Sequence, residues 1–332
     1  MDFFGSNLCD QLLNAGHEVL GLIQADNNWS KNNKNPNLRL FNVDITDENQ
    51  VDRFFKKFAT KNTVVIHTAG LVSIASNIEP ALKKVNVDGT NIIIEACKKY
   101  AIQRLVYISS VHAIPELPHG QIMTEVEAFD PKLVIGGYTK TKAIATQAAV
   151  DARQSGLDVA VIHPSGMIGT GDWGKGNIKQ AIIDYTKRQP TAITRGGYDF
   201  ADVRDVAEAT IKASLLKRCK NQHYILSNQY LSVREIIDFV DKARPNHKHH
   251  LNMLPNWFLK IVASLAEIWY KLRRVAPTFT RYSVYTLSSN AVYSHQKATR
   301  DLNYQPRPME ETIRDTLEWY ESVGFIAPNN NL

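Results

Sequence analysis

The sequence predicts an α/β fold: a doubly wound parallel sheet covered by helices on both faces, with a smaller, mostly helical C-terminal substrate lobe. Three observations carry that expectation. The first half of the 332 residues alternates short β-branched runs with amphipathic stretches of helical period. The rhythm breaks after His163-Pro164, where a glycine-rich loop, Gly166-Met-Ile-Gly-Thr-Gly171, follows. A chain that is 44% hydrophobic and 22% charged has apolar surface enough for a core and too much for a disordered chain.

Each element follows from its residues. Leu8, Leu12 and Leu13 share helical spacing in 6–15, and Gly16 stands where a helix C′ residue is expected. Strands are expected at 18–23, 38–42, 63–67, 105–109 and 158–163, and helices at 49–58, 86–100 and 139–155. Parallel neighbours need crossover helices, so this order means βαβ units. Helices at 177–187, 203–216, 233–243, 255–272 and 309–322 come later, with 223–226 as one late strand of the main sheet. The expected division is 1–165 with 201–228 for the sheet domain, and 166–200 with 229–332 for the lobe.

Composition narrows the function classes. Lysine and arginine number 39 against 33 aspartates and glutamates, a scattered excess of +6. That excess suits anionic small molecules or a membrane surface as readily as nucleic acid, and no nucleic-acid partner is expected. Cys9, Cys97 and Cys219 have no metal-ligand spacing. No metal site is therefore expected, and so sparse and odd a set points to a reducing, cytoplasmic compartment. No apolar run of about 18 residues predicts a transmembrane span. The first residues lack the basic and apolar regions of a signal peptide.

The most informative segment is Gly137-Tyr138-Thr-Lys-Thr-Lys142. Tyr138 and Lys142 are four apart at a helix start and share a face. An ammonium beside a phenol favours the phenolate and lowers its pKa, which suits proton exchange with a carbonyl or alcohol oxygen. The same spacing also arises as an ordinary surface pair. Leu105-Val-Tyr-Ile-Ser-Ser110 ends a strand in two serines, at the sheet edge where ligands bind. A serine there can hydrogen-bond the same oxygen, although the pair also reads as two ordinary turn serines. Val64-Val-Ile-His-Thr-Ala-Gly70 runs a strand into small residues, Asn86 is a helix cap or strand-bridging amide, and Asp44 ends a strand where it can accept from an adenine amino group.

In this order, these segments resemble the extended short-chain dehydrogenase/reductases of the NAD-dependent epimerase/dehydratase superfamily, and the pattern spans nearly the whole chain. His163-Pro164-Ser-Gly-Met-Ile-Gly-Thr-Gly-Asp172 is similar to the family's Arg-Pro loop, with His163 in the arginine's place. Phe200-Ala-Asp-Val-Arg-Asp-Val-Ala207 and Tyr293-Ser-His-Gln-Lys-Ala298 through Trp319-Tyr320 resemble two further family segments. The stretch 255–277 is similar to the 3β-hydroxysteroid dehydrogenase and dihydroflavonol 4-reductase-like branches.

The resemblance implies a Rossmann-type fold and an NAD(P)-dependent oxidoreductase acting on a hydrophobic ketone or secondary alcohol. The alternatives are a nucleotide-sugar epimerase or dehydratase, and a non-catalytic homologue. It implies Tyr138 as general acid/base, Lys142 as its tuner and ribose ligand, and Ser110 as carbonyl positioner, with Ser109 or His112 as replacements if the register shifts. It implies cofactor contacts at Gly5, Asp44, Ile45, Ala69, Gly70, Tyr138, Lys142, His163 and Pro164. The substrate is a small molecule, hydrophobic or sugar-like. A homodimer through 86–100 and 139–155 is common in such proteins. The helix at 255–275 is expected to pack its apolar side on the core; a lid or peripheral membrane contact is the alternative.

The family's phosphate fingerprint fits incompletely. Gly5 matches its last glycine, Asp2 holds the middle position, and the first strand and glycine fall before Met1. Everything after Gly5 keeps the pattern, so the favoured expectation is a native chain that starts upstream, over a chain with crippled cofactor binding; residues 1–332 alone are expected to bind NAD(P) poorly. At the expected ribose position Gln24 is neither an arginine nor a carboxylate, and Asp26 falls two residues late; the lean is to NAD over NADP.

Overall fold

The computed structural model describes residues 3–24, 29–30, 33–174, 176–188, 192–193, 196–245, 252–273 and 280–329. Asp2 and Asp26 lie outside the described residues.

Helix α1 (Phe3–Asn14) leads into β1 (Val19–Ile23) through Gly16, whose φ of +82° is open to glycine without strain. β2 (Leu38–Asn42) pairs with β1 in parallel register. Next come α2 (Glu48–Phe58), capped by the Asp47 carboxylate, then β3 (Val64–His67), α3 (Thr90–Lys99), β4 (Arg104–Ile108), α4 (Gly137–Asp151) and β5 (Val159–Pro164). β3, β4, β5 and a later strand β9 (His223–Leu226) form one parallel sheet in that order. Among the described residues, no strand pairing joins β1–β2 to this sheet.

β4 and β5 are buried along their whole length, as strands covered on both faces must be. Their side chains alternate between two cores. Leu105, Tyr107, Val159 and Val161 meet α2, α3 and α4 through Phe55, Ile94 and Ala145. Val106, Ile108, Ala160 and Ile162 meet α1 and α6 (Val203–Leu215) through Leu8, Val206 and Ala207. Arg104 is buried at the head of β4, where it donates to Asp158 at 2.9 Å and to the carbonyls of Ala213 and Leu216 at 2.8 Å, closing the end of α6.

The remainder of the chain contributes β6 (Gly166–Ile168), α5 (Asn177–Thr186), β7 (Ala192–Ile193), β8 (Gly197–Asp202), β10 (Gln229–Ser232), α7 (Val233–Ala243), β11 (Asn252–Met253), α8 (Asn256–Arg273), α9 (Arg281–Thr286), α10 (Gln296–Leu302) and α11 (Met309–Ser322). The sequence reading places α6 and the four long helices named here, α5, α7, α8 and α11, within one residue at each end. It misses a three-stranded sheet, β10-β8-β6, because three-residue β6 sits in the glycine-rich loop and β8 carries two aspartates. The expected packing of 255–275 is also corrected. Ala263 faces inward, while Trp257, Ile261, Leu265 and Trp269 are exposed.

Candidate active site

The C-terminal end of β4 builds the centre of the site. Ser109 and Ser110 follow it and point different ways, as successive strand residues do. The Ser109 hydroxyl is 2.6 Å from that of Thr146 on α4, inside the structure. The Ser110 hydroxyl accepts from the His112 backbone at 3.2 Å and lies near enough to the Tyr138 phenol to favour its ionised form. Between the two candidate serines, Ser110 is the one beside the tyrosine.

Two glycines put Tyr138 there. Gly136, the N-cap of α4, has φ +108°, and a Cβ on it would lie 2.4 Å from the Tyr282 ring. A Cβ on Gly137 would lie 2.0 Å from the Asn77 carbonyl. Helix α4 thus begins under the 75–78 loop, with the Gly137 amide donating to the Ala75 carbonyl at 3.2 Å. One turn later, buried Lys142 donates to the Ile108 carbonyl at 2.7 Å, and its ammonium lies over the Tyr107 ring. Burial pushes the Tyr138 phenol above its ordinary range, and the Ser110 hydroxyl partly offsets this. That reverses the direction expected from the Tyr–Lys spacing: removal from water dominates, and the Lys142 ammonium is engaged by the Ile108 carbonyl.

Asn86 joins the strands to the helix. It lies in a π-helical stretch, Lys84–Gly89, ahead of α3 and is not a helix cap. Its carboxamide accepts from the Leu71 amide at 2.7 Å and donates to the Leu71 carbonyl and to Thr141. The loop after β3 is thereby pinned open beside Lys142. A Cβ on Gly70 would sit 3.4 Å from the Asn86 amide oxygen and 3.5 Å from the Lys142 ammonium. That bare stretch at Ala69-Gly70 is a backbone cradle of the kind a flat cofactor can approach.

The other expected cofactor residues are spread along the same face. Asp44, after β2, accepts from the Thr46 amide and hydroxyl, both at 2.8 Å, and these bonds hold its carboxyl below the usual range. Ile45 is buried against Gly89. Gly5 is buried within α1, whose Asn7 donates to the Thr170 carbonyl at 3.0 Å. His163 and Pro164 are buried in β5. The His163 ring packs against those of Phe129 and His223, which also meet each other, and its Nδ1 is 3.2 Å from the Ser110 carbonyl; burial pushes it down to about 4, so it is neutral. Its ring braces the Ser110 backbone from behind and does not line an open surface.

A cavity of about 380 Å³ opens beside Thr139. Val111, Ile114, Met123 and Val134 and the rings of Tyr282, Tyr285 and Tyr293 share its wall with the polar side chains of His112, Glu116, Thr139, Ser289 and Asn290. The Glu116 carboxylate at one end accepts from Tyr285 and from the Asn290 amide. His112 meets Tyr138 edge-on and bonds the Tyr198 hydroxyl at 3.1 Å. Sequence reasoning missed Tyr198, Tyr282 and Glu116, because they reach the site from distant segments without a local motif. The Lys179 ammonium donates to the carbonyls of Asp172 and Gly174 in the loop after β6. Among the described residues, no group of His, Cys, Asp and Glu is placed to hold a metal ion.

Comparison with known proteins agrees with this architecture. The profile described as "NAD dependent epimerase/dehydratase family" matches residues 2–226. A Synechocystis sp. protein whose name carries "dihydroflavonol 4-reductase" is 27% identical over 331 residues, covering 98% of this chain and 93% of that protein. The "Sterol-4-alpha-carboxylate 3-dehydrogenase erg26, decarboxylating" of Schizosaccharomyces pombe is 29% identical over 304 residues, covering 85% of this chain and 84% of that protein. The structure of Thermus thermophilus UDP-glucose 4-epimerase in complex with NAD superposes with a TM-score of 0.73 at 21% identity, over 96% of both chains. With a profile match over two thirds of its length and a parallel sheet ending in this cleft, the chain belongs to the NAD dependent epimerase/dehydratase family, as an enzyme of the extended short-chain dehydrogenase/reductase type.

Proposed function

We propose that this enzyme transfers a hydride between NAD and a hydrophobic ketone or secondary alcohol, with Tyr138 as general acid/base. The observation that carries the reading is the placing of the Tyr138 phenol near Ser110 and His112, one residue before Thr139 in the wall of a cavity that mixes aliphatic, aromatic and polar groups. Such a wall suits a substrate with an apolar body held through one oxygen. The names of the relatives from Synechocystis and S. pombe, a reductase and a dehydrogenase, support it.

The residues divide the work. Ala69 and Gly70 offer the bare backbone for the cofactor, Lys142 reaches that stretch from below, and Asp44 and Ile45 stand at the far strand end for the adenine. When bound, NAD supplies the hydride acceptor or its reduced form the donor. Ser110 donates a hydrogen bond to the substrate oxygen, and Tyr138 passes the proton. Gln24, at the end of β1, has no charge to pair with a 2′-phosphate, in keeping with NAD.

The test is absorbance at 340 nm, with the purified chain, NAD or NADH and a panel of hydrophobic ketones and secondary alcohols. Net conversion that stays stoichiometric with product supports the reading. Turnover of a nucleotide sugar with no net change would instead assign an epimerase. A finer check separates the serines. Ser110→Ala is expected to lower kcat roughly 10²-fold, the usual cost of one donor at a developing charge. Ser109→Ala, whose hydroxyl is tied to Thr146, is expected to leave kcat within about threefold, since it donates nothing there. Equal losses in the two variants would move the role away from Ser110.

A further inference from the structure

Helix α8 turns its large apolar side chains outward. Trp257, Ile261, Leu265 and Trp269 are 66%, 53%, 64% and 52% exposed, and they recur every fourth residue. That spacing makes one ridge, about 18 Å long at 1.5 Å per residue. Phe258 and Val262 widen it, while Ala263 on the opposite side is fully buried. Six large apolar side chains on one exposed helix face are more than scattered surface residues, and such patches mark interaction sites.

Charge identifies the occupant. Glu267 is the one carboxylate in the α8 sequence, and it is turned to the protein. It accepts from the Arg281 amide at 2.9 Å and from the Ser76 hydroxyl at 3.4 Å. The α8 sequence sets three cations, Lys260, Lys271 and Arg273, against that one carboxylate, and at about 100° per residue exposed Arg273 falls along a margin of the ridge. An apolar ridge on a cationic helix, with a tryptophan near each end, fits the boundary between anionic headgroups and acyl chains. Among the described residues, no helix is long and apolar enough to cross a membrane.

The ridge adjoins the mouth of the cleft. Ser76, bonded to Glu267, follows Ala75, whose carbonyl holds the Gly137 amide beside Tyr138. Leu71 and Val72, earlier in that loop, are exposed, and so are Leu133 and Ile135 just ahead of Tyr138. An apolar rim thus runs from α8 to the catalytic helix.

We propose that α8 docks on an anionic phospholipid bilayer and seats the mouth of the Tyr138 cleft on it, so that an apolar substrate enters from the lipid. The docking stands on the ridge alone; the delivery of substrate rests on the oxidoreductase reading above. The experiment is flotation of the purified chain with vesicles of phosphatidylcholine, alone or with about 30 mol % phosphatidylglycerol. Binding roughly tenfold stronger to the anionic vesicles, weakened by salt and accompanied by a blue shift of tryptophan emission, is expected. Trp257→Glu with Leu265→Glu should remove that binding while leaving the thermal midpoint and the turnover of a water-soluble ketone unchanged. Failure of the wild-type chain to bind anionic vesicles overturns the proposal, as does undiminished binding by the double variant. A wild-type dimer that becomes monomeric in the double variant also overturns it and assigns the ridge to a second copy. Vesicle binding without NAD-linked turnover, at NAD and NADH concentrations shown by titration to saturate the chain, would uphold the docking and reject the oxidoreductase reading.

Discussion

Tyr138→Phe is expected to lower kcat by about 10³-fold, within the range for loss of a positioned proton donor, while cofactor affinity stays within about threefold. Phenylalanine keeps the ring, so the edge-on contact with His112 and the packing under the 75–78 loop persist. What disappears is one hydroxyl, and with it the proton path. The Lys142 ammonium stays anchored on the Ile108 carbonyl, so the cradle at Gly70 keeps its floor. The pH dependence follows from the direction of the shift. Burial holds the phenol protonated through the neutral range, so ketone reduction, which needs the acid form, should vary little between about pH 6 and 8. Alcohol oxidation needs the phenolate, so its kcat/KM should climb as pH rises. The residual activity of Tyr138→Phe should lose that climb. Turnover retained within tenfold of wild type would show that another group carries the proton.

Much of this site was legible because its parts are locally encoded. The Tyr138–Lys142 pair is a helix periodicity, Ser110 is a strand end, and Gly70 is a strand running into small residues. Each survives in a single window of sequence. The α/β alternation was legible for the same reason: β4 and β5 are continuous apolar runs because they are buried on both faces. Residues whose role depends on distant partners were not legible. His163 looked like a cleft residue from its place in the Pro loop. Its burial is set by Phe129 and His223, neither of which is near it in sequence. Tyr282 reaches α4 only because Gly136 leaves room for its ring. For α8 the period was right and the direction wrong. A helical stripe shows which residues share a face, and it is silent on whether protein or some other apolar medium meets that face.

Asp202→Ala is expected to cost about 3–5 kcal/mol of stability, the range for removing one partner of a buried ion pair. Its carboxylate is completely buried where β8 turns into α6, and it serves several donors at once. It caps α6 through the Arg204 amide at 2.8 Å, binds the Arg204 guanidinium at 2.9 and 2.6 Å, and accepts from Thr312 of α11 at 2.8 Å. Arg204 reaches on to Asp315 at 2.9 Å, while Arg307 bonds Asp205 at 2.7 Å. This network ties α11 and the 307 loop to the sheet, so its loss uncouples two layers and orphans a buried hydroxyl and a helix amide. The lost cap alone accounts for about 1 kcal/mol; the rest comes from the Arg204 guanidinium, left with Asp315 as its one carboxylate, and from the orphaned Thr312 hydroxyl. An exposed pair such as Glu208–Lys212 contributes under about 1 kcal/mol, so Lys212→Ala is the matched control. At roughly 2–4 °C per kcal/mol, the expected fall in Tm for Asp202→Ala is about 10 °C, against a degree or two for the control. Asp202→Asn, which keeps an oxygen for the cap but not the charge, should fall between them. Because Asp202 does not touch the cleft, kcat per folded molecule should be unchanged. Tyr138→Phe is the opposite case: full stability with almost no turnover. A Tm loss below about 3 °C for Asp202→Ala would mean that water or a neighbouring carboxylate takes over the arginine, and that the two layers hold together by apolar packing alone.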